Sequence, residues 1–426
     1  MSDAIDKYLH EVLKKIHPAE RRKKISEELT DHILSAYEDY LTQNYSEDEA
    51  LKKALSDMGD PLKLGKKLNH TKYSKKIFAF WICTLFLISI SLISVIDYTF
   101  YFGDYKKLII LCLFLMCGIA LIIAAGTGVI LKINDYIFAA YSGLVILDTG
   151  VMICFYDIKG FINTNYKYIM VTLYLIVLAM LCDKYDLLSK IKKKIFSILF
   201  ITSLFITCLN PVKAPFIFLL IGYSILILKN FRRNIGKHLL KISILGIVFS
   251  VILMILILNY GESYQIIYIK NTLGFIKSND IYQQQLHSRT LFTDFGNNMV
   301  NGNQVYEYLR DGNKEYLLAF LLSKFGIFMI LFTLFIYISC GIGVIQNLSR
   351  IQDERVKSIT YVAIGIFTFR IFYNLLMGVG FVPVTSISLP FSMTDNCLFI
   401  SDCFWAGVLL LGLKRKERIY KVCQDV

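Results

Sequence analysis

The stretch VGFVPVTSISLPF, residues 379–391, carries two prolines and three hydroxyl side chains and no charge. Proline fixes φ and removes a backbone donor, so Pro383 and Pro390 stiffen the segment against becoming helix. Thr385, Ser386 and Ser388 offer neutral hydrogen bonds, which suit the rim of a cavity because no charge has to be desolvated. Three ionisable residues stand within apolar stretches nearby or elsewhere: Lys324, Arg370 and Asp148. Such groups cost several kcal/mol at membrane depth unless they are paired or face a cavity. Each is therefore either a holder of an anionic or cationic group or one half of an ion pair, with Asp148 and Asp395 as carboxylates for the cations. Lys324 falls nine residues into an apolar stretch opening at 315, about 13 Å along a helix that rises 1.5 Å per residue.

The elements that must position these residues follow from composition. The 426 residues are 55% hydrophobic and only 19% charged, against about a quarter charged for an ordinary soluble chain. Apolar runs reach the roughly 20 residues that span a bilayer as helix. They lie at about 77–100, 107–131, 136–156, 168–182, 195–209, 216–228, 242–260, 315–340, 358–379 and 392–413. The expected fold is all-α, a polytopic membrane protein with about ten transmembrane helices plus a small N-terminal cytoplasmic helical domain.

Lys and Arg distribution orients it. Connections on the side of the N-terminus hold 19 Lys/Arg in 59 residues, and those on the other side 10 in 90. The positive-inside rule then puts both termini in the cytoplasm and the long 261–314 loop outside. The excess charge of +13 sits in segments beside the membrane, so membrane lipids are the expected partner and nucleic acid is not. The ten cysteines are mostly in apolar runs with no CxxC pair, as small hydrophobes.

Residues 1–70 read as three helices. Ile5, Leu9, Val12 and Ile16 recur at helical spacing, and Ile25, Leu29, Ile33, Leu34, Tyr37 and Leu41 line one face of a second helix. Ser46 with Glu49 three residues on is a capping box for a third that ends near MGDP. Residues 71–76 form a basic linker, 77–414 the membrane domain and 415–426 a basic tail. Glu28, Leu29 and His32, with Gly59, Asp60 and Pro61, resemble the core of the permease prefix (HAAS-type) domain found ahead of membrane proteins. His32 has no accompanying ligand set and reads as a helix-contact residue rather than a metal ligand.

A second resemblance lies in the last third. Asn374, Gly380, Pro383, Val384, Thr385, Leu389, Pro390 and Phe391 stand at the spacing of the signature of the SEDS family (shape, elongation, division and sporulation proteins). The resemblance implies a polymerase of lipid-linked disaccharide pentapeptide (lipid II), working outside the membrane beside a single-pass class B penicillin-binding-protein-like transpeptidase. In that family an Asp takes the proton from the acceptor hydroxyl. Here Glu315 stands at its place, Tyr316 replaces the following Phe, and Ser323 and Lys324 replace a pair of glutamates. In this reading Thr385, Asn374, Pro383, Pro390 and Ser388 shape the substrate mouth. Lys324 and Arg370 depart from the family (Arg370 stands where it has Gln), and as intramembrane cations they are either holders of the lipid pyrophosphate or partners of Asp148 or Asp395. Asp395 and Asn396 stand where the family has two glycines. No cofactor is expected, since no cofactor motif is visible and no acidic cluster supports a divalent cation at the pyrophosphate. The alternative is a relative without catalysis, which binds lipid II or a cell-wall enzyme and reports to a cytoplasmic regulator through residues 1–70.

Overall fold

The computed structural model describes residues 2–14, 19–69, 75–103, 105–128, 131, 136–159, 166–209, 214–260, 288–289, 292, 316–348, 351, 353–382, 385, 387–393 and 395–413. Among these every regular element is helical and none is a strand. The chain divides into two compact units, residues 1–78 with 414–426, and residues 79–413.

The first unit contains α1 (Ser2–Lys14), α2 (Ala19–Thr42), α3 (Glu47–Asp57) and α4 (Pro61–Asn69). Its core joins Ile5, Leu9 and Val12 of α1 to Ile25, Leu29 and Ile33 of α2, with Met58 and Leu64 closing it. The α1 and α2 residues among them are positions that helical periodicity marks, and Met58 and Leu64 are additions. Where the sequence suggests three helices, the structure has four. The fourth starts because Asp60 accepts from the Lys63 amide at 2.9 Å while Pro61 supplies a pre-set φ in the first turn. The capping box before α3 forms: the Glu49 carboxylate accepts from the Ser46 amide at 3.4 Å and its hydroxyl at 2.8 Å. Those bonds hold the Glu49 carboxyl below its ordinary pKa.

The second unit is a helical bundle. It comprises α5 (Lys75–Phe102, entering at Ala79), α6 (Tyr105–Gly126), α7 (Ile137–Lys159), α8 (Tyr166–Lys184), α9 (Lys190–Leu209), α10 (Ala214–Lys229), α11 (Asn234–Tyr260), α12 (Leu317–Phe325), α13 (Ile327–Leu348), α14 (Glu354–Val379) and α15 (Asn396–Leu413). Among the described residues six helices are long and apolar enough to cross a membrane, in α5, α6, α8, α13, α14 and α15, and two shorter apolar helices lie in α7 and α10. This is a polytopic all-α membrane protein.

Burial separates centre from rim. In α8, Val171 and Tyr174 to Cys182 are buried without interruption, and α15 is nearly as enclosed. By contrast, α6 and α13 present apolar side chains outward, among them Leu113, Met116, Phe328 and Phe335. A helix apolar all round that buries only one side belongs against lipid. Between α6 and α15 the backbones meet closely. A Cβ on Gly407 would stand 2.4 Å from the Ala125 side chain and 2.9 Å from the Ile122 carbonyl. Small residues let membrane helices approach in this way.

One expected span is corrected. Where a single span is expected over 315–340, the described residues 316–340 form two helices, broken at Gly326, where φ is 76° and ψ −177°. That combination is essentially open to glycine alone. The membrane helix therefore starts at Ile327, and Lys324 ends a short helix ahead of it instead of lying deep within a span.

Candidate functional site

α14 runs to Val379 and stops on Gly380, whose left-handed φ of 85° closes the helix. The Gly380 amide donates to the Leu376 and Met377 carbonyls, and the Phe381 amide to Leu376 at 2.9 Å. This is the hydrogen-bond pattern of a glycine C-cap. Beyond it the chain turns back, and residues 387–393 are extended or turned and buried. Non-helical backbone inside a membrane protein must have its polar groups satisfied by other protein groups. Here the surrounding helices supply them.

Arg370, on α14 and 1% exposed, donates through Nε to the Ser388 carbonyl at 3.1 Å and through Nη2 to the Leu389 carbonyl at 3.0 Å. The same guanidinium meets both oxygens of Asp402, on α15, in a buried ion pair. Asp402 in turn accepts from the Phe391 amide at 2.7 Å. Asn374, one helical turn after Arg370, donates to the Ile387 carbonyl at 3.0 Å. Tyr337 of α13 donates to the Pro390 carbonyl at 2.5 Å, and Ser91 of α5 accepts from the Met393 amide at 2.7 Å. Four helices thus pin one irregular segment. Phe391 adopts φ of 63°, a left-handed conformation unusual for a bulky side chain, held by the Asp402 bond and by the ring of Phe367 at 5.5 Å.

The residues expected to form the mouth fall into three groups. Arg370, Asn374, Ser388 and Pro390 are together, and Thr385 is buried just ahead of them, its carbonyl accepting from the Ile387 amide at 2.7 Å. The Ser388 hydroxyl is buried with no hydrogen-bond partner among the described residues. Lys324 is elsewhere, 3.5 Å from Asp97 near the end of α5 and partly exposed. Glu315 and Pro383 lie outside the described residues. The 261–314 segment contributes where it is described: Ser288 donates to the Gly378 carbonyl at 2.9 Å, and the Arg289 stem lies against Gly380.

The ion pairs differ from those the sequence suggests. Arg370 pairs with Asp402, neither with Asp148 nor with Asp395. Asp395 instead caps α15, accepting from the Cys397 and Leu398 amides at 3.0 and 3.1 Å. Asp148 of α7 meets Lys167 of α8 at 2.6 Å, both buried, and also accepts from Tyr166 and Tyr174 at 3.2 and 2.8 Å. Asp402 and Lys167 are the groups that sequence reasoning missed. Asp402 had a signal: it interrupts the apolar run of α15, and a carboxylate there requires a cation at the same depth.

No family model matches the chain, and no curated protein matches it in sequence. Solved structures do. One matching chain comes from work described as "Structural coordination of polymerization and crosslinking by a peptidoglycan synthase complex". It superposes with a TM-score of 0.55 at 14% identity, over 78% of this chain and 98% of that one. The two chains share a fold. At that identity the likeness concerns architecture alone.

Proposed function

We propose that this chain is a SEDS-like protein of peptidoglycan synthesis that binds lipid II at an extracytoplasmic mouth bordered by residues 385–391. The observation that carries the reading is the pairing of a shared fold with a retained motif. Its fold resembles that of a chain from a peptidoglycan synthase complex. Its Asn374 and the Leu389-Pro390-Phe391 run are the residues whose groups hold the segment in place. In this reading both termini are cytoplasmic, residues 1–70 are a prefix domain that a cytoplasmic regulator contacts, and a class B transpeptidase stands alongside.

Catalysis, in the proposal, runs through Glu315. Its carboxylate takes the proton from the acceptor sugar hydroxyl as that oxygen bonds to the donor anomeric carbon. The bond from that carbon to the pyrophosphate breaks, and undecaprenyl pyrophosphate leaves with the electron pair. Because Arg370 is consumed by Asp402 and two carbonyls, its role is to hold the mouth rather than the leaving group. A second reading, binding without turnover, is favoured by Lys324. It takes the place of a family glutamate and is engaged with Asp97.

Purified protein given labelled lipid II separates the two. Glycan polymer that disappears in Glu315→Gln supports catalysis. Saturable binding without polymer in either protein supports the second reading. Absence of both binding and polymer overturns the proposal.

A further inference from the structure

α9 and α11 begin side by side. The Ser197 hydroxyl and His238 Nε2 are 2.9 Å apart, and the Tyr185 ring in the turn before α9 lies 5.4 Å from the imidazole. Lys193 stands over that tyrosine at 5.0 Å. Three residues before Ser197 is Lys194 and three after His238 is Lys241, each therefore flanking the seam. Lys190 stands one turn before Lys194 and Lys237 one turn before Lys241, so each of the two helices carries a lysine pair at i,i+4 spacing. All four are exposed.

Nearby carboxylates do not neutralise them. Residues 183–194 and 229–241 hold ten Lys/Arg and two Asp. Arg233 takes Asp183 at 3.1 Å, and Lys229 takes Glu354 at 3.0 Å. Among the described residues no carboxylate pairs with Lys190, Lys194, Lys237 or Lys241. Like charges at i,i+4 repel, so the sequence maintains a local cost that a bound anion would offset. The same surface is interleaved with exposed apolar side chains: Ile191 and Ile198 on α9, Phe231, Ile244 and Leu245 around α11. Cations at helix starts, followed by apolar faces running toward the membrane centre, match one occupant. It has a negative head and hydrocarbon tails.

We propose that the α9–α11 seam is a binding site for an anionic phospholipid, with Lys190, Lys194, Lys237 and Lys241 lining the seam along its headgroup and the apolar faces of the two helices along its acyl chains. A basic juxtamembrane residue contributes about 1 kcal/mol toward anionic lipid, roughly fivefold, so four together discriminate by well over tenfold. The site is independent of the glycan-binding reading.

The test is native mass spectrometry of the purified full chain exchanged into equal amounts of phosphatidylglycerol and phosphatidylcholine. The wild-type chain retains phosphatidylglycerol at least about tenfold over phosphatidylcholine, and raising the salt to about 1 M abolishes the preference. In the quadruple variant K190Q/K194Q/K237Q/K241Q the preference falls to near unity, whereas K7Q/K14Q/K52Q/K53Q in the first unit leaves it unchanged. Photoactivatable phosphatidylglycerol labels peptides of α9 and α11 in the unaltered chain, which decides the matter even where the quadruple variant does not fold. Equal retention of both lipids, undiminished preference in the folded quadruple variant, or labelling confined to other helices overturns the proposal.

Discussion

Two buried ion pairs sit in the same bundle and are built on different plans. Asp148–Lys167 joins neighbouring helices, and its remaining valences are met by the tyrosine hydroxyls of Tyr166 and Tyr174. Arg370–Asp402 also joins two helices, but its remaining valences are met by backbone: the Ser388 and Leu389 carbonyls and the Phe391 amide. The first pair fastens helix to helix. The second uses a charge pair to solvate a piece of irregular chain where water cannot. Charge at membrane depth is thus evidence of function only after its partners are known. Asp148 shows the structural use, and Arg370 shows a charge that organises a site without being free to bind in it.

The sharpest way to break this contrast is to remove one partner of each pair. Arg370→Ala leaves Asp402 buried without a cation and two carbonyls without donors. It should cost at least about 3–5 kcal/mol, read as the largest fall in thermal midpoint of the detergent-solubilised protein. Lys167→Ala falls short of it, because Tyr166 and Tyr174 still bond to Asp148.

The next test replaces both partners with uncharged groups. A buried pair exchanged for neutral residues of similar size is often tolerated. Asp148→Asn with Lys167→Met should therefore recover most of the stability lost by either single change. Arg370→Met with Asp402→Asn should not, since the Ser388 and Leu389 carbonyls remain orphaned at about 1–3 kcal/mol each. Equal recovery in both doubles would erase the distinction.

Smaller changes sharpen it within the segment. Tyr337→Phe removes one donor, to the Pro390 carbonyl, and Asn374→Ala removes another, to Ile387. Each should cost about 1–3 kcal/mol by leaving a buried carbonyl unmet, and the proposed binding of lipid II should weaken more than in any variant of the Asp148 cluster.

The smallest effect belongs to the other end of α14. Asp353 caps that helix, accepting from the Arg355 amide at 3.0 Å and from its guanidinium. Burial alone would raise its pKa, yet the Arg355 bonds win and it lies below the ordinary value. The cap's contribution is therefore complete above the unfolded carboxylate value of about 3.9 and is lost as pH falls through the lower folded one. Asp353→Ala should cost about 1 kcal/mol at neutral pH and flatten that acid limb of the stability profile.

Much of the architecture was legible in the sequence because hydrophobic length and periodicity are local properties. The face of α2 bearing Ile25, Leu29 and Ile33 is an example, as are the apolar runs of α6, α14 and α15. The break at Gly326 was less so: one glycine in an apolar stretch gives no sign of whether the helix passes through it. The pairing of Arg370 with Asp402 required knowing that α14 and α15 bring residues 32 apart in sequence to the same depth. Asp395 was the nearer carboxylate in the chain, yet its position at the start of α15 commits it to the helix amides. The motif residues were recognisable by spacing. What they do, which is mostly to fix backbone, emerged only from their partners.

The account turns on the Arg370–Asp402 unit holding residues 387–393 in place. Hydrogen–deuterium exchange of that segment in the full chain measures this directly. The Phe391 amide should be strongly protected in the unaltered protein, and Arg370→Gln, Asp402→Asn and the double variant should release it to the same extent, because the pair acts as one device. Protection at Phe391 that survives Arg370→Gln would contradict the account.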